Sequence, residues 1–390
     1  MIDYSIIIVN YNGSKYFETL FASLSKLLTA SIIYEIIVID NNSDDKSIEL
    51  LTNSFSKRFE NLKVIQNDVN MGFAKANNIA ATYAKGKNLI FLNNDTSVDQ
   101  NFLIEIDKCM NKKDCVITCK LLFFYDFIKL PIKENQKIDL EVKINGSDYI
   151  IDNRFVKQAT ISSDSITCIE NSEIYIPLIY GNSSSYEIQF VCNDSIKQLY
   201  LSVNDVQLEA VQLIQNAGSF LNEQNEGQDI GFAQPDGLLF NTEKEVQFAC
   251  GAAFCINKEL FHKIKGFDEL FFMYYEDTDL SARVKKKGFP IIFCPSAIVR
   301  HIHSGSSKNN PRIRFYIFRN QLLYIIKNES YHTIHQELSR RFVNCVKYCI
   351  SIFFGKWNIR KSLYINSYLS ALVLLPYYLF NRLINGGGAK

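Results

Sequence analysis

The sequence predicts an α/β fold: a doubly wound sheet with an inserted antiparallel β-rich domain and a C-terminal helical tail. Three observations carry that expectation. Short β-branched runs alternate with amphipathic or small-residue stretches over residues 1–124, and the style returns over 213–310. Residues 125–212 alternate apolar and polar side chains between turn signals, with no helical period. From 311 to 390 the pattern is helical, basic and aromatic.

The elements follow in order. YSIIIVN at 4–10 is apolar on both faces, as a buried parallel strand must be. Asn12-Gly13 turns the chain, and Ser14 can cap a helix whose Phe17, Leu20, Phe21, Leu24, Leu27 and Leu28 share one face. YEIIVID at 34–40 is a second buried strand; a helix over about 46–56 and a strand at 62–66 come next. Met71-Gly72 opens a helix of small residues (Ala74, Ala76, Ala80, Ala81, Ala84) suited to close packing on a sheet. NLIFL at 88–92 is the fourth strand, and a helix near 99–112 leads to a strand near 115–124. Over 125–212, turn signals such as Asn145-Gly146, Gly181-Asn182 and Asn193-Asp194 predict a small antiparallel sandwich. The Gly- and Asn-rich stretch after 215 reads as a long loop, and 247–254 as a strand running into Cys250-Gly251-Ala252-Ala253.

Composition excludes several classes. With 47% hydrophobic and 21% charged residues the chain is globular, and a net charge of +1 argues against a nucleic-acid binder. The charge is unevenly spread: residues 306–390 carry 13 Lys/Arg against 2 Asp/Glu. That basic tail predicts a membrane surface or a polyanion at one end. Within it, 363–380 is strongly apolar but holds Asn366, Ser367, Ser370 and Pro376, so peripheral attachment is favoured over a span. Ten cysteines with no CxxC pair fit a reducing, cytoplasmic setting, and MIDYSIIIVNYNG lacks the basic start of a signal peptide. The insert, with 7 basic and 13 acidic residues, does not read polyanions; acceptor recognition, carbohydrate binding and a homo-oligomer contact are its open roles.

Candidate chemistry lies at strand ends and in one aromatic stretch. Ligands of such sheets bind beyond the carboxyl ends of the strands, and Asp40 and Asp95 both stand there. The first turn, Asn10-Tyr11-Asn12-Gly13, has one glycine and no phosphate-cradling pattern, so a hard cation on Asp95 would bridge diphosphate oxygens instead. Glu276, Asp277 and Asp279 crowd behind Phe271, Phe272, Met273, Tyr274 and Tyr275, a setting that suits a general base. The competing reading is a capped helix start. His301 and His303 sit among small residues, where an imidazole could meet a metal or phosphate.

The pieces SIIIVNYNG, EIIVIDNNSDD, NMGFAKANNIA, LIFLNNDT, IQNAG, FACGAAFCINKELFHKIKGFDELFFMYYEDTDLSARVKKKGFPIIFCP, AIVRHIHSGSS and YIFRNQLLYIIK together resemble the inverting family-2 glycosyltransferases of the GT-A fold, especially their rhamnosyltransferase-like branch. The resemblance covers about 1–122 and 213–328, and nothing carries over to the insert. It implies that Val9, Asn10, Asn12 and Asp40 hold the base and ribose of a nucleotide-sugar, with Asn78 nearby and Gly251 letting the ligand approach the backbone. Asn93-Asn94-Asp95 takes the metal-binding DxD position, with Asn93 replacing the first aspartate, a weaker ligand for a hard cation. Asp277, paired with Glu276, would be the catalytic base. His301 would be a further ligand of Mn2+ or Mg2+, with His303 the competing choice. Phe271, Phe272 and Tyr275 would stack on acceptor sugars, and Arg319 with Asn320 would contact phosphate or acceptor. The implied donor is first of all dTDP-rhamnose, with UDP-hexoses open. The implied acceptor is a glycan or polyprenyl-diphosphate-linked sugar at the inner face of the cell membrane. A catalytically weak glycan-binding homologue and a nucleotidyltransferase are the competing functions.

Overall fold

The computed structural model describes residues 1–29, 31–112, 114–130, 132, 135–178, 185–193, 195–202, 210–302 and 311–384. Two compact units emerge: 1–121 with 216–230 and 241–390, and 122–215 with 231–240. The division differs from the sequence expectation in two places. Residues 231–240, read as loop, belong with the insert, and the C-terminal helices belong with the first unit rather than standing apart.

The first unit is built on parallel strands β1 (Tyr4–Asn10), β2 (Tyr34–Asp40), β3 (Leu62–Gln66) and β4 (Asn88–Leu92), in spatial order β3-β2-β1-β4. Strand order therefore reverses at β1, which pairs in parallel with both β2 and β4. β1 and β4 are buried along nearly their whole length because helices cover both faces. On one face α1 (Phe17–Leu24) packs Phe17, Phe21 and Leu24 with Ile6, Ile8 and Ile90, and Phe21 stacks on Phe55 at 4.2 Å. Each such buried side chain contributes roughly 1.5–3 kcal/mol. On the other face α2 (Gly72–Tyr83) buries Ala76 and Ala80, which lack bulk and so allow a close approach to the sheet.

A short β5 (Thr96–Val98), α3 (Phe102–Lys112) and β6 (Val116–Phe123) lead toward the insert. After it, the expected long loop contains a hairpin, β7 (Ser219–Leu221) with β8 (Gly227–Asp229). Next come β9 (Lys244–Val246), β10 (Ala253–Asn257), α4 (Lys258–Lys263), α5 (Glu276–Lys286) and β11 (Ile291–His301). β10 inserts antiparallel beside β4, while β11 pairs antiparallel with β5 and β9. The strand expected over 247–254 thus begins only at Ala253. Phe248 makes an isolated antiparallel bridge to Ser219, but the backbone N–H of Cys250 goes to Thr118 Oγ1 (3.2 Å) and that of Gly251 to Asp277 (2.7 Å), so these two residues bond to side chains rather than to a ladder.

Three helices close the unit: α6 (Arg312–Asn328), α7 (Tyr331–Phe353) and α8 (Ile359–Ile384). Their shared core holds Leu322, Ile325, Ile334, Cys345, Tyr368 and Ala371.

The second unit is antiparallel throughout its paired strands, as the alternation predicts. The long strand Ser165–Pro177 pairs with Lys137–Asp139 near its start and with Phe127–Lys129 near its end. Its core includes Ile138, Val142, Ile144, Ile166, Ile174 and Ile188. The turns expected at Gly181-Asn182 and at Asp194 lie outside the described residues.

Candidate active site

The carboxyl ends of β1, β2 and β4 are tied into one polar floor. Asp40, fully buried, accepts from Asn10 Nδ2 (2.7 Å), Ser43 Oγ (2.7 Å) and Ser43 N–H (2.8 Å). Asn10 Oδ1 accepts from Asn94 Nδ2 at 2.7 Å, joining β1 to the segment after β4. Asn12 adopts φ 51°, a left-handed conformation that asparagine tolerates, and its Oδ1 accepts from the Asp44 N–H at 2.8 Å. Gly13 is required here: a Cβ would stand 2.1 Å from Asn94 Nδ2 and 2.4 Å from Asn10 Oδ1. The structure thus brings Asn10, Asn12, Asp40 and Asn94 together at the reversal point, next to Val9. The bonds of Asp40 hold the floor itself. Asn78 lies elsewhere, on α2, exchanging hydrogen bonds with the backbone of Phe267 (2.9 Å each way).

Just beyond β4, Asp95 meets His301 at the end of β11. Asp95 Oδ1 and His301 Nε2 are 3.1 Å apart, and Asn93 Nδ2 is 3.4 Å from the same nitrogen. The meeting is set by backbone: His301 is in register with Thr96, and the Ile302 N–H donates to the Asp95 carbonyl at 3.0 Å. Side-chain exposure is 5% for Asp95 and 13% for His301, so both stand at a wall rather than in open solvent. Among the described residues no three His, Cys, Asp or Glu side chains converge as a closed metal cage. His303, the competing ligand, lies outside the described residues.

The third component is the start of α5. The Gly251 N–H donates to Asp277 Oδ2 at 2.7 Å, and the Thr278 N–H to Oδ1 at 2.7 Å. One residue on, the Ala252 carbonyl accepts from the Asn93 N–H at 2.9 Å. Consecutive residues of a single turn therefore hold Asp277 and the Asn93-Asn94-Asp95 segment. A Cβ on Gly251 would lie 3.0 Å from Asp277 Oδ2, so the glycine is what lets the carboxylate seat. Burial raises the Asp277 carboxyl above its ordinary range, against the lowering effect of the Gly251 and Thr278 donors. Glu276 is pushed much further up by burial and by its neighbour Asp277, and its Oε2 has no hydrogen-bond partner among the described residues. Asp279 differs: burial alone would raise it, but Arg283 and Lys327 bring it down to about 2. Its bonds to Arg283 Nε (2.8 Å), Lys327 Nζ (2.9 Å) and Asn328 Nδ2 (3.1 Å) make it a structural anchor.

The aromatic loop before α5 departs from expectation. Phe271 is fully buried in the core shared with α6, so no face of it is left for a sugar to stack on. The ring of Phe272 stacks on Tyr316 at 5.0 Å, and its carbonyl accepts from the Phe73 and Ala74 N–H groups at the start of α2. Tyr275, partly exposed, accepts at its hydroxyl from the Gly227 N–H at 3.2 Å. Arg319 and Asn320 brace this loop from behind. Arg319 donates to the Leu270 and Phe271 carbonyls (2.8 and 3.0 Å), and Asn320 Nδ2 lies 2.7–2.8 Å from the carbonyls of Phe271, Met273 and Tyr274.

One residue was missed. Asp229, at the end of β8, is solvent-accessible, yet the surrounding protein and the Asp277 charge push its carboxyl upward while Asn216 and Ser219 hold it down. Asn216 Nδ2 donates to it at 2.6 Å. Nothing in the periodicity of a Gly- and Asn-rich stretch distinguishes this aspartate from a turn residue.

Two family models match parts of the chain. Residues 5–162 match the glycosyl transferase family 2 model, and 239–334 match a model described as the N-terminal domain of galactosyltransferase. Residues 5–162 thus carry a family 2 glycosyltransferase domain, and the fold is GT-A. Among curated relatives, an N-acetylglucosaminyl-diphospho-decaprenol L-rhamnosyltransferase of Mycobacterium tuberculosis is 36% identical over 70 residues, 18% of this chain and 23% of the relative. A poly(ribitol-phosphate) beta-N-acetylglucosaminyltransferase, TarS, of Staphylococcus aureus is 31% identical over 104 residues, 26% of this chain and 18% of the relative. The matches thus span less than a quarter of either relative. A crystal structure of GalNAc-T7 with UDP, GalNAc and Mn2+ superposes with a TM-score of 0.54 at 14% identity, covering 97% of this chain and 58% of that one. That likeness concerns the fold.

Proposed function

We propose that this glycosyltransferase moves a sugar, with inversion, from a nucleoside diphosphate to a hydroxyl of a glycan or polyprenyl-diphosphate-linked acceptor. The observation that supports the reading best is the turn at Gly251-Ala252, which seats Asp277 and binds the segment bearing Asp95. Asp277 Oδ1 and Oδ2 each accept a backbone N–H, which aims the carboxylate and leaves further lone pairs for an acceptor hydroxyl. Asp277 takes the hydroxyl proton as the oxygen bonds to the anomeric carbon. The bond from that carbon to the diphosphate oxygen breaks, and its electron pair leaves with the nucleotide. Burial and the neighbouring Asp277 charge push Glu276 toward its neutral form, which lessens repulsion beside the base.

Val9, Asn10, Asn12 and Asn94, on the floor fixed by Asp40, form the nucleoside end of the site, with Gly251 toward the sugar. Asn78, bound to the Phe267 backbone, is not part of it. A divalent cation fits the residues present. One carboxylate and one imidazole 3.1 Å apart would supply two ligands of a kind suited to Mn2+ or Mg2+. When bound, such an ion offsets charge on the departing diphosphate. Asp95 and His301 would hold it, with Asn93 a neutral neighbour. Tyr275 is the aromatic of the loop best placed for the acceptor; Arg319 supports the loop rather than the ligand.

For the donor we favour dTDP-rhamnose, on the strength of the rhamnosyltransferase relative, with UDP-sugars second because other relatives are named for N-acetylglucosaminyl and glucosyl transfer. The setting is the cytoplasmic face of the cell membrane, with peripheral attachment through the C-terminal helices. Nucleotide release from a panel of sugar nucleotides with Mn2+ or Mg2+ tests the assignment. Turnover of one donor, abolished by EDTA and restored by added metal, is the expected result. Tight binding of one donor without turnover, in the presence of lipid-linked acceptors, would favour a glycan-binding homologue instead.

A further inference from the structure

We propose that the outer faces of α7 and α8, with the corner between them, form one surface that lies flat on an anionic bilayer, α8 running along the membrane rather than through it. The proposal rests on the peripheral-membrane reading above and specifies its surface, orientation and lipid charge.

The apolar stripes are unusually exposed. On α7, Phe342, Val346 and Ile350 recur every four residues and are 42–58% exposed. On α8, Leu369, Val373 and Phe380 are 54–78% exposed on one stripe. The opposite stripes of both helices, carrying Ile334, Cys345, Tyr368 and Ala371, are buried against α6. The exposed stripes therefore point away from the catalytic unit. At the corner, Phe353, Phe354 and Trp357 are 85, 71 and 65% exposed.

α8 is long enough to cross a membrane, 26 residues with a mean hydropathy of 1.3 over its most apolar window. Its inner face argues against crossing. Tyr378 Oη donates to Asp268 Oδ2 (3.1 Å), Arg382 donates to the Ile326 and Glu329 carbonyls (2.7 Å each), and Tyr368 reaches the Leu338 carbonyl (3.3 Å). Asp268 is in turn paired with Lys327, which also pairs with Asp279. A spanning α8 would either break these bonds or draw charged groups of the catalytic unit into hydrocarbon.

Charge decides between a bilayer and a second copy of the chain. Residues 331–384 contain seven Lys/Arg and a single acid, Glu337. That glutamate is buried and paired with Arg340 and Arg341. Lys347, Lys356 and Arg360 are exposed around the corner. Two copies would set these cations against each other, whereas anionic headgroups complement them while aromatic side chains enter the interface.

Trp357 is the chain's one tryptophan and so reports directly on this corner. The full-length protein is mixed with phosphatidylcholine vesicles containing or lacking phosphatidylglycerol, and tryptophan emission and co-sedimentation are followed. A blue shift and binding that require phosphatidylglycerol are expected, with release by high salt or alkaline carbonate. Replacing Lys347, Lys356 and Arg360 by Gln should weaken binding on the order of a hundredfold. A second variant, Phe353→Ser with Phe354→Ser, should also weaken it, with donor binding and melting temperature unchanged in both. Extraction only by detergent would overturn the in-plane orientation. Unchanged emission with vesicles, together with a dimer that these variants dissociate, would assign the surface to a second copy. Nucleotide-sugar binding, measured in parallel, shows separately whether the glycosyltransferase reading stands.

Discussion

Three carboxylates within four positions of α5 have three different electrostatic fates, and the differences follow from what each one touches. Asp279 faces Arg283 and Lys327 and is held ionised. Glu276 is buried with no donor to Oε2 among the described residues and is driven toward neutrality. Asp277 lies between them, raised by burial yet supported by two backbone N–H donors. A base works only when ionised, so a raised pKa means activity is lost as pH falls through that value and is present above it. The acid limb of kcat/KM should therefore lie above the usual aspartate range near 4, measured with the transferred donor across pH 4–9. Gly251→Ala tests how the base is seated. Its Cβ would press on Asp277 Oδ2, so kcat should fall at least about tenfold.

The aromatic loop leads into the helix that bears Asp277, and it is held in an unfavourable backbone. Phe272, Tyr274 and Tyr275 have φ of 65°, 68° and 68°, left-handed values that cost bulky residues roughly 1–2 kcal/mol each. The compensation comes from α6 through Asn320, fully buried with its amide against three loop carbonyls. Asn320→Ala should free the loop, lowering kcat and raising KM together and opening 270–275 to limited proteolysis. If the variant showed wild-type kinetics and protease resistance, the loop would not depend on this brace. The crowding of acids behind aromatics was readable in the linear order. The loop's conformation was not, because no local preference places three bulky residues at positive φ. Only α6, some 45 residues downstream, makes it tolerable, and the same tertiary demand turned Phe271 inward.

At the scale of the molecule, hydrophobic period made most of the architecture legible. β-branched runs marked the parallel strands, and period-two alternation marked the insert. Charge bias marked the helical tail. The meeting of Asp95 with His301 was accessible only through family resemblance, since it depends on the register of β11 against β5. Asp229 and the allegiance of 231–240 were hidden because Gly- and Asn-rich stretches carry no period. The tail differs from a detachable anchor: α7 and α8 cover Leu322, Leu323 and Ile325 of α6, all fully buried. Deleting 331–384 should therefore expose that core and give an aggregating protein, seen by light scattering, rather than a soluble active one.

The most direct measurement is sugar transfer by Asp277→Asn beside wild type, with donor affinity determined on the same samples. Loss of transfer by at least about a thousandfold with donor affinity kept within a few-fold is the predicted result. Near-normal transfer by the variant would contradict the assignment of Asp277 as the base, and with it the mechanism built on the Gly251 turn.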